Sequence, residues 1–243
     1  MQHISIIKRE ARHVLSKKPH NLVNLGLIPT IVLVILFILL FRLSTQIVLQ
    51  LNLTQIDKQF YADVQSFLTN NPQISLYYLE GFLAYGMFAV SVSFAALDQL
   101  RETTKQMGIA QSLQVFSGVY FFKVLVLWLV IYLIYYLGNL ILLPIGLYFY
   151  YGFKLTYFIL KDLTQGSARI SWRNALKTLG YSWTMMRGHK WQLFVLDLSF
   201  IGWDLLNFMT LGLFNLYVAP YRAASYAVFY QNLLDQQIGA RLS

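Results

Sequence analysis

The chain has 243 residues, of which 57% are hydrophobic, 16% aromatic and only 12% charged, against about a quarter charged in an average soluble chain. With a mean hydropathy of +0.53, so much apolar surface exceeds what one soluble core absorbs, and a free cytosolic enzyme is excluded. The charge is lopsided, 19 Lys+Arg against 10 Asp+Glu, and there is no cysteine, which removes disulfides, thiol nucleophiles, thiolate metal sites and S-acylation.

In the N-terminal segment, residues 1–21, Ile4, Ile7, Ala11, Val14 and Leu15 recur at helical spacing while Lys8, Arg9, Arg12 and Lys17 cover the rest. This predicts a cytoplasmic amphipathic helix lying on the inner leaflet. Residues 22–43 are nearly unbroken apolar and lack a small-residue cleavage site, so they predict a retained first span and not a signal peptide. In the outer loop 44–75, Ile47, Val48, Leu51, Leu53, Ile56, Phe60 and Phe67 alternate with polar residues, predicting one or two helices over the outer face. The second span is 76–97, where Gly86, Ala89, Ser93 and Ala96 repeat at a spacing suited to close helix packing.

The apolar stretch 119–160 is too long for one helix, and Gly138-Asn139 with Pro144-Ile145-Gly146 divides it into spans 119–138 and 144–161. Residues 191–230 divide likewise at Thr210-Leu211-Gly212 into spans 191–209 and 211–231. The predicted fold is therefore an all-α polytopic membrane protein: one membrane domain over 22–243, six transmembrane helices in three hairpins. Basic amphipathic stretches also precede the third and fifth spans (LDQLRETTKQMGIAQSLQVF and ISWRNALKTLGYSWTMMRGHKW). They fit either an ancestral threefold repeat or the basic character of any connection beside anionic lipid.

Orientation follows from Lys and Arg near the span ends. The N-terminal segment carries Lys8, Arg9, Arg12, Lys17 and Lys18, the second connection Arg101 and Lys105, and the fourth Lys161, Arg169, Arg173, Lys177, Arg187 and Lys190. Six spans put all of these on one side, leaving Lys58 with Asp57 and Asp63 on the other, with Arg42 at the rim. Both termini are then cytoplasmic, and the +9 net charge is mainly a topology signal.

The C-terminal stretch carries Ser199-Phe200-Ile201-Gly202-Trp203, Leu205-Leu206, Thr210-Leu211-Gly212, Ala219-Pro220-Tyr221 and Phe229-Tyr230. It resembles the signature of domain of unknown function 975, predicted integral membrane proteins of Gram-positive bacteria. Weaker matches are Lys8…Ala11-Arg12…Leu15 and Ala175-Leu176 followed by Met185-Met186-x-Gly188. The specific part covers about 40 residues. The resemblance implies a six-span bacterial membrane protein and assigns no activity. Asp204 follows Gly202-Trp203 where the family often has an uncharged residue, so the resemblance gives that position no role.

Ionisable residues inside the apolar blocks are the candidate sites, because a charge within the bilayer is costly unless paired or hydrated. With the last turn at Thr210, Asp197 and Arg222 fall at one depth, about 18–20 Å below it at 1.5 Å per residue. Three readings stay open: an ion pair locking two helices, a polar cavity for a ligand, ion or lipid head group, or a register leaving both near the inner interface. Pro220 frees a backbone carbonyl beside Arg222. Lys123 and Lys154 are expected to snorkel to the cytoplasmic head groups. Glu80 is expected to be hydrated near the outer end of its span, with Lys154 its nearest basic candidate otherwise, and Asp204 has no evident partner. The tyrosines 132, 135, 136, 148, 150 and 151 are expected to form an interfacial belt.

No catalytic constellation stands out: there is no HExxH, GxSxG or glycine-rich phosphate loop. His3, His13 and His20 are expected to be solvated, His189 has no evident acid beside it, and no metal or cofactor is expected. Dispersed basic residues without a recognition fold argue against nucleic acid. The expectation is a non-enzymatic membrane protein that binds a lipid, an amphipathic peptide or a partner membrane protein, in contact with anionic inner-leaflet lipids. A role in membrane stress or resistance to antimicrobial peptides is the corresponding physiology. The alternatives are a small transporter or channel subunit, and a membrane-embedded lipid-modifying enzyme, which needs two convergent acid/base groups.

Overall fold

A computed structural model describes residues 3–17, 19–50, 58–102, 107–164 and 170–242. Expectations for Lys18, Leu51, Leu53, Ile56, Asp57, Lys105 and Arg169 lie outside these residues, as do those for the side chains of Ile47, Val48, Lys58, Phe60 and Asp63. The architecture is all-helical, with no strand among the described residues.

Helix α1, Ile4–Ser16, has His3 as N-cap, its side chain accepting from the Ser5 amide. The predicted stripe is real, but its surroundings differ from the expectation. Ile7 and Ala11 are 1% and 0% exposed because α1 packs on α11 (Asn215–Leu242), α2 (Pro19–Gln50) and α9 (Lys190–Leu198). The apolar face covers protein and not lipid; burying Ile7, Ala11, Val14 and Leu15 in a core removes them from water as fully as a leaflet would.

Helix α2 continues past the predicted first span to Gln50. Helix α3, Lys58–Asn70, follows, and α4, Pro72–Arg101, starts after Asn71, so the described part of the outer loop is helical except at Asn71. A 3-10 helix, Ile109–Phe116, packs on α4 and α2. Helices α5, Phe121–Ile141, and α6, Leu143–Phe153, are joined by the extended Leu142, at the predicted break. A Cβ on Gly138 would lie 2.8 Å from the Gly146 Cα, so only glycine permits this approach. Helix α7, Thr156–Thr164, begins after a turn at Lys154-Leu155; α8, Trp172–Met185, follows, and α9 gives way at Ser199-Phe200 to α10, Ile201–Met209. The last turn holds Leu211 at φ 52° and Gly212 at φ 87°.

Among the described residues four stretches are long and apolar enough to cross a membrane: Val23–Gln46, Pro72–Arg101, Phe121–Ile141 and Lys190–Met209. The expected spans 144–161 and 211–231 are not among them. The first is cut at Lys154-Leu155 into helices of 11 and 9 residues. The second lies in α11, which is long enough at 28 residues but carries Asn215, Arg222, Ser225 and Gln231 among its apolar positions.

Burial explains that composition. Every residue from Ala223 to Tyr230 is buried, so α11 is the central helix, packed by α2, α4 and α1. The apolar side chains face outward elsewhere: Ile35, Ile38 and Phe41 on α2, Leu133, Leu137 and Leu140 on α5, Leu205, Phe208 and Met209 on α10. An exposed apolar girdle around a more polar centre is the pattern of a lipid-solvated protein.

Candidate functional site

Two helix breaks and a helix-internal proline lie in one region: α6 gives way to α7 at Lys154-Leu155, α9 to α10 at Ser199-Phe200, and the continuous α11 contains Pro220. Pro220 has no N–H, so the Leu216 carbonyl loses its helical donor. Helix α2 approaches at that carbonyl, where a Cβ on Gly26 would lie 2.1 Å from the Leu216 oxygen.

The Asp197–Arg222 pair expected from depth counting is not formed. Arg222 pairs with Asp204 at 2.5 Å, and the Asp197 carboxylate accepts from the Tyr226 hydroxyl. The cause is the turn, which centres on Gly212 and not Thr210. Moving the centre of a hairpin by about two residues moves each cross-hairpin partner by about four, one helical turn. Asp197 thus meets Tyr226, and Asp204, for which the sequence suggests no partner, meets Arg222.

Lys154 does not snorkel. Its ammonium donates to the Tyr150 hydroxyl and lies 4.4 Å from the Tyr150 ring centroid and 4.8 Å from that of Tyr226. Tyr226 therefore stands between Lys154 of the α6–α7 break and Asp197 of α9, ring to the cation and hydroxyl to the anion. Ring faces attract cations and a desolvated ammonium gains most from this. The tyrosines expected as an interfacial belt accordingly divide: Tyr132, Tyr136 and Tyr148 are exposed, whereas Tyr151 is buried and Tyr150 serves the cluster. Lys123 donates to the Val119 carbonyl, in the turn that precedes α5, at 2.8 Å. Glu80 is exposed on α4, and the structure does not bring it to Lys154.

The neighbouring polar group is one that the sequence reading missed. The Lys8 ammonium donates to the Ser199 carbonyl at 3.0 Å and hydroxyl at 3.1 Å, and lies 4.5 Å from the Phe200 ring centroid. A cation at the C-terminus of α9 complements the helix dipole there. Burial, then the charges of Arg12 and Arg222, pull the Lys8 ammonium below its ordinary pKa. The Arg222 guanidinium lies 5.0 Å from the same Phe200 ring. The signature residues complete this floor: Trp203 stacks on Phe214 at 5.8 Å and meets Tyr217 and Tyr221, while Gly202 leaves open space beside it.

A second polar cluster joins α4, α7, α11 and the 3-10 helix. Arg101 grips both oxygens of Asp162 at 2.6 and 3.0 Å, and the Tyr230 hydroxyl donates to the same carboxylate at 2.7 Å. One turn away, Lys161 pairs with Asp98 at 2.5 Å and donates to the Phe94 carbonyl and to Gln114, which in turn donates to Asp98. Sequence reasoning counted Lys161 and Arg101 only as topology charges. The available signal was the two acid–base doublets, Asp98…Arg101 and Lys161-Asp162, at the ends of two predicted spans. Among the described residues no three of His, Asp and Glu converge as a metal would need.

Comparison with curated proteins and with solved structures finds no match. Residues 140–237 match the model of a family described as protein of unknown function (DUF975). The resemblance read from Gly202-Trp203 and Pro220-Tyr221 is therefore borne out over residues 140–237, the part of the chain that matches DUF975 and that carries Lys154, Asp197, Asp204, Arg222 and Tyr226.

Proposed function

We propose that this is a non-enzymatic, multi-pass protein of the cytoplasmic membrane that binds an amphiphile in or beside the bilayer: a lipid foremost, or an amphipathic peptide or partner membrane protein. In this reading six spans cross the membrane: α2, α4, α5, the bent α6–α7 unit, the bent α9–α10 unit and α11, with both termini cytoplasmic. The α6–α7 unit runs from Leu143 to Thr164, long enough at 1.5 Å per residue for a hydrocarbon core about 30 Å thick. The basic connections then share the cytoplasmic side.

The observation that carries the binding reading is the contrast between outside and inside. Asp197, Lys154, Asp204 and Arg222 are each engaged by another side chain of the protein, while the apolar girdle is open to a partner. The purified full-length protein, released from membranes into mild detergent and weighed intact, is predicted to retain anionic lipid. Equal retention of zwitterionic and anionic lipid would contradict it. For the physiological role, deleting the gene is predicted to change sensitivity to membrane-active cationic peptides, and unchanged sensitivity across a panel would oppose that role.

One observation favours transport as a second reading: interrupted helices meeting at charged residues are how many transporters build a mid-membrane site. Asp197→Asn discriminates. A variant that folds normally but loses a flux measured in proteoliposomes supports transport; one that loses only stability supports a structural role for Asp197.

A further inference from the structure

Helix α8 has two unlike faces. The inner one is fixed: Ala175, Thr178, Ser182 and Met185 are buried, and the Ser182 hydroxyl donates to the Gly152 carbonyl at 2.9 Å. Trp183 packs on Phe149 at 5.5 Å, and the Lys190 ammonium lies 3.7 Å from the Trp183 ring centroid and 3.6 Å from that of Tyr148. The outer face is a shallow, open surface along one side of the helix, formed by Arg173, Leu176, Lys177, Gly180, Tyr181 and Thr184. A Cβ at Gly180 would meet nothing within 4 Å, so no neighbouring element covers this face there.

Two features of this face say what it takes. Its cations are not neutralised: no Asp or Glu occurs between Asp162 and Asp197 in the sequence, and among the described residues no carboxylate pairs with Arg173 or Lys177. Arg173 and Lys177 lie four positions apart, one above the other on the same side of the helix. Beside them Trp172, Leu176 and Tyr181 are 50%, 45% and 53% exposed. A soluble anion would leave those apolar side chains in water, whereas an amphiphile with an anionic head covers both parts of the face.

We propose that the outer face of α8 binds an anionic glycerophospholipid, its phosphate between Arg173 and Lys177 and its glycerol and upper acyl chains along Leu176 and Tyr181. This rests on the lipid-binding reading above and gives it an address: α8 is a rigid platform, anchored by Trp183 and Lys190, that presents one lipid at the membrane surface.

The test uses the full-length protein in mild detergent, titrated with phosphatidylglycerol or phosphatidylcholine and read by native mass spectrometry of the lipid-bound species. The unmodified protein is predicted to prefer phosphatidylglycerol. Arg173→Gln/Lys177→Gln should bind it about twenty-five-fold more weakly, since each cation near an anionic surface contributes roughly a factor of five. An equal loss of charge elsewhere, Arg9→Gln/Arg12→Gln, should change binding by less than about two-fold, and Lys177→Arg should retain it. An unchanged melting temperature of the α8 double variant shows that it folds. No preference in the unmodified protein would sink the lipid reading itself. A preference that survives Arg173→Gln/Lys177→Gln, or that the Arg9/Arg12 control loses equally, would overturn the α8 assignment alone. Displacement of the lipid by equimolar glycerol phosphate would show a free-phosphate site and overturn the choice of ligand.

Discussion

The two polar clusters inside this protein solve the same problem differently. At the ends of α4 and α7, Asp98 with Lys161 and Arg101 with Asp162 meet directly as ion pairs, with Tyr230 and Gln114 satisfying spare lone pairs and protons. At the helix breaks, Lys154 and Asp197 are served by tyrosines, and only Arg222 and Asp204 pair directly. Direct pairing in a low-dielectric site is strong but intolerant of a missing partner. A tyrosine between two charges gives each less and leaves less exposed when one is lost. The first arrangement is a lock between helices; the second is a joint, sited where two helices are broken and a third carries Pro220.

Removing one partner from the lock should have the largest effect. Asp98→Ala leaves the Lys161 ammonium, in a residue only 3% exposed, without its counter-charge, and is expected to cost about 3–5 kcal/mol in thermal or denaturant unfolding in detergent. The double variant Asp98→Leu/Lys161→Met should recover much of that loss, because replacing a whole buried pair costs less than breaking it; a double variant as unstable as the single one would refute the lock.

The joint should respond less. Tyr226→Phe deletes one hydroxyl and is expected to cost about 1–3 kcal/mol, the range for leaving a buried acceptor unsatisfied. Asp197→Asn should cost less than Tyr226→Phe, because an amide oxygen still accepts from the Tyr226 hydroxyl. A loss for either as large as that of Asp98→Ala would erase the distinction between the clusters. Asp204→Asn should likewise cost less than Asp98→Ala, because the amide oxygen that replaces the carboxylate still accepts from the Arg222 guanidinium.

The same contrast explains what the sequence makes legible. Long apolar runs announce α2, α4 and α5, the spacing of Ile7, Ala11, Val14 and Leu15 announces α1, and Gly138 with Pro144 announces the α5–α6 turn. The breaks at Lys154-Leu155 and Ser199-Phe200 are marked only by a glycine two residues away, Gly152 and Gly202, a signal too common to place a break; contacts to Tyr226 and Lys8 from other helices accompany them. Asp197 and Arg222 are legible as charges that need partners, but partner identity depends on where a turn centres, and a shift from Thr210 to Gly212 exchanges Arg222 for Tyr226. Tyr150 and Tyr226 stay hidden because tyrosine suits a membrane interface as well as a buried hydroxyl. Lys161 and Arg101 stay hidden because a basic residue beside a span already has an explanation in topology.

The central proposal is a six-span protein whose interior charges are engaged within the protein and whose basic connections face the cytoplasm. The absence of cysteine makes the direct measurement clean: single substitutions Ser5→Cys, Gln65→Cys, Ser171→Cys and Gln236→Cys, each probed in intact cells with a membrane-impermeant thiol reagent. The account predicts labelling from outside at position 65 alone, with positions 5, 171 and 236 reacting only after the membrane is opened. Labelling of position 171 or 236 from outside would contradict it, because the α6–α7 unit or α11 would then not cross as described and α8 would face away from the inner leaflet.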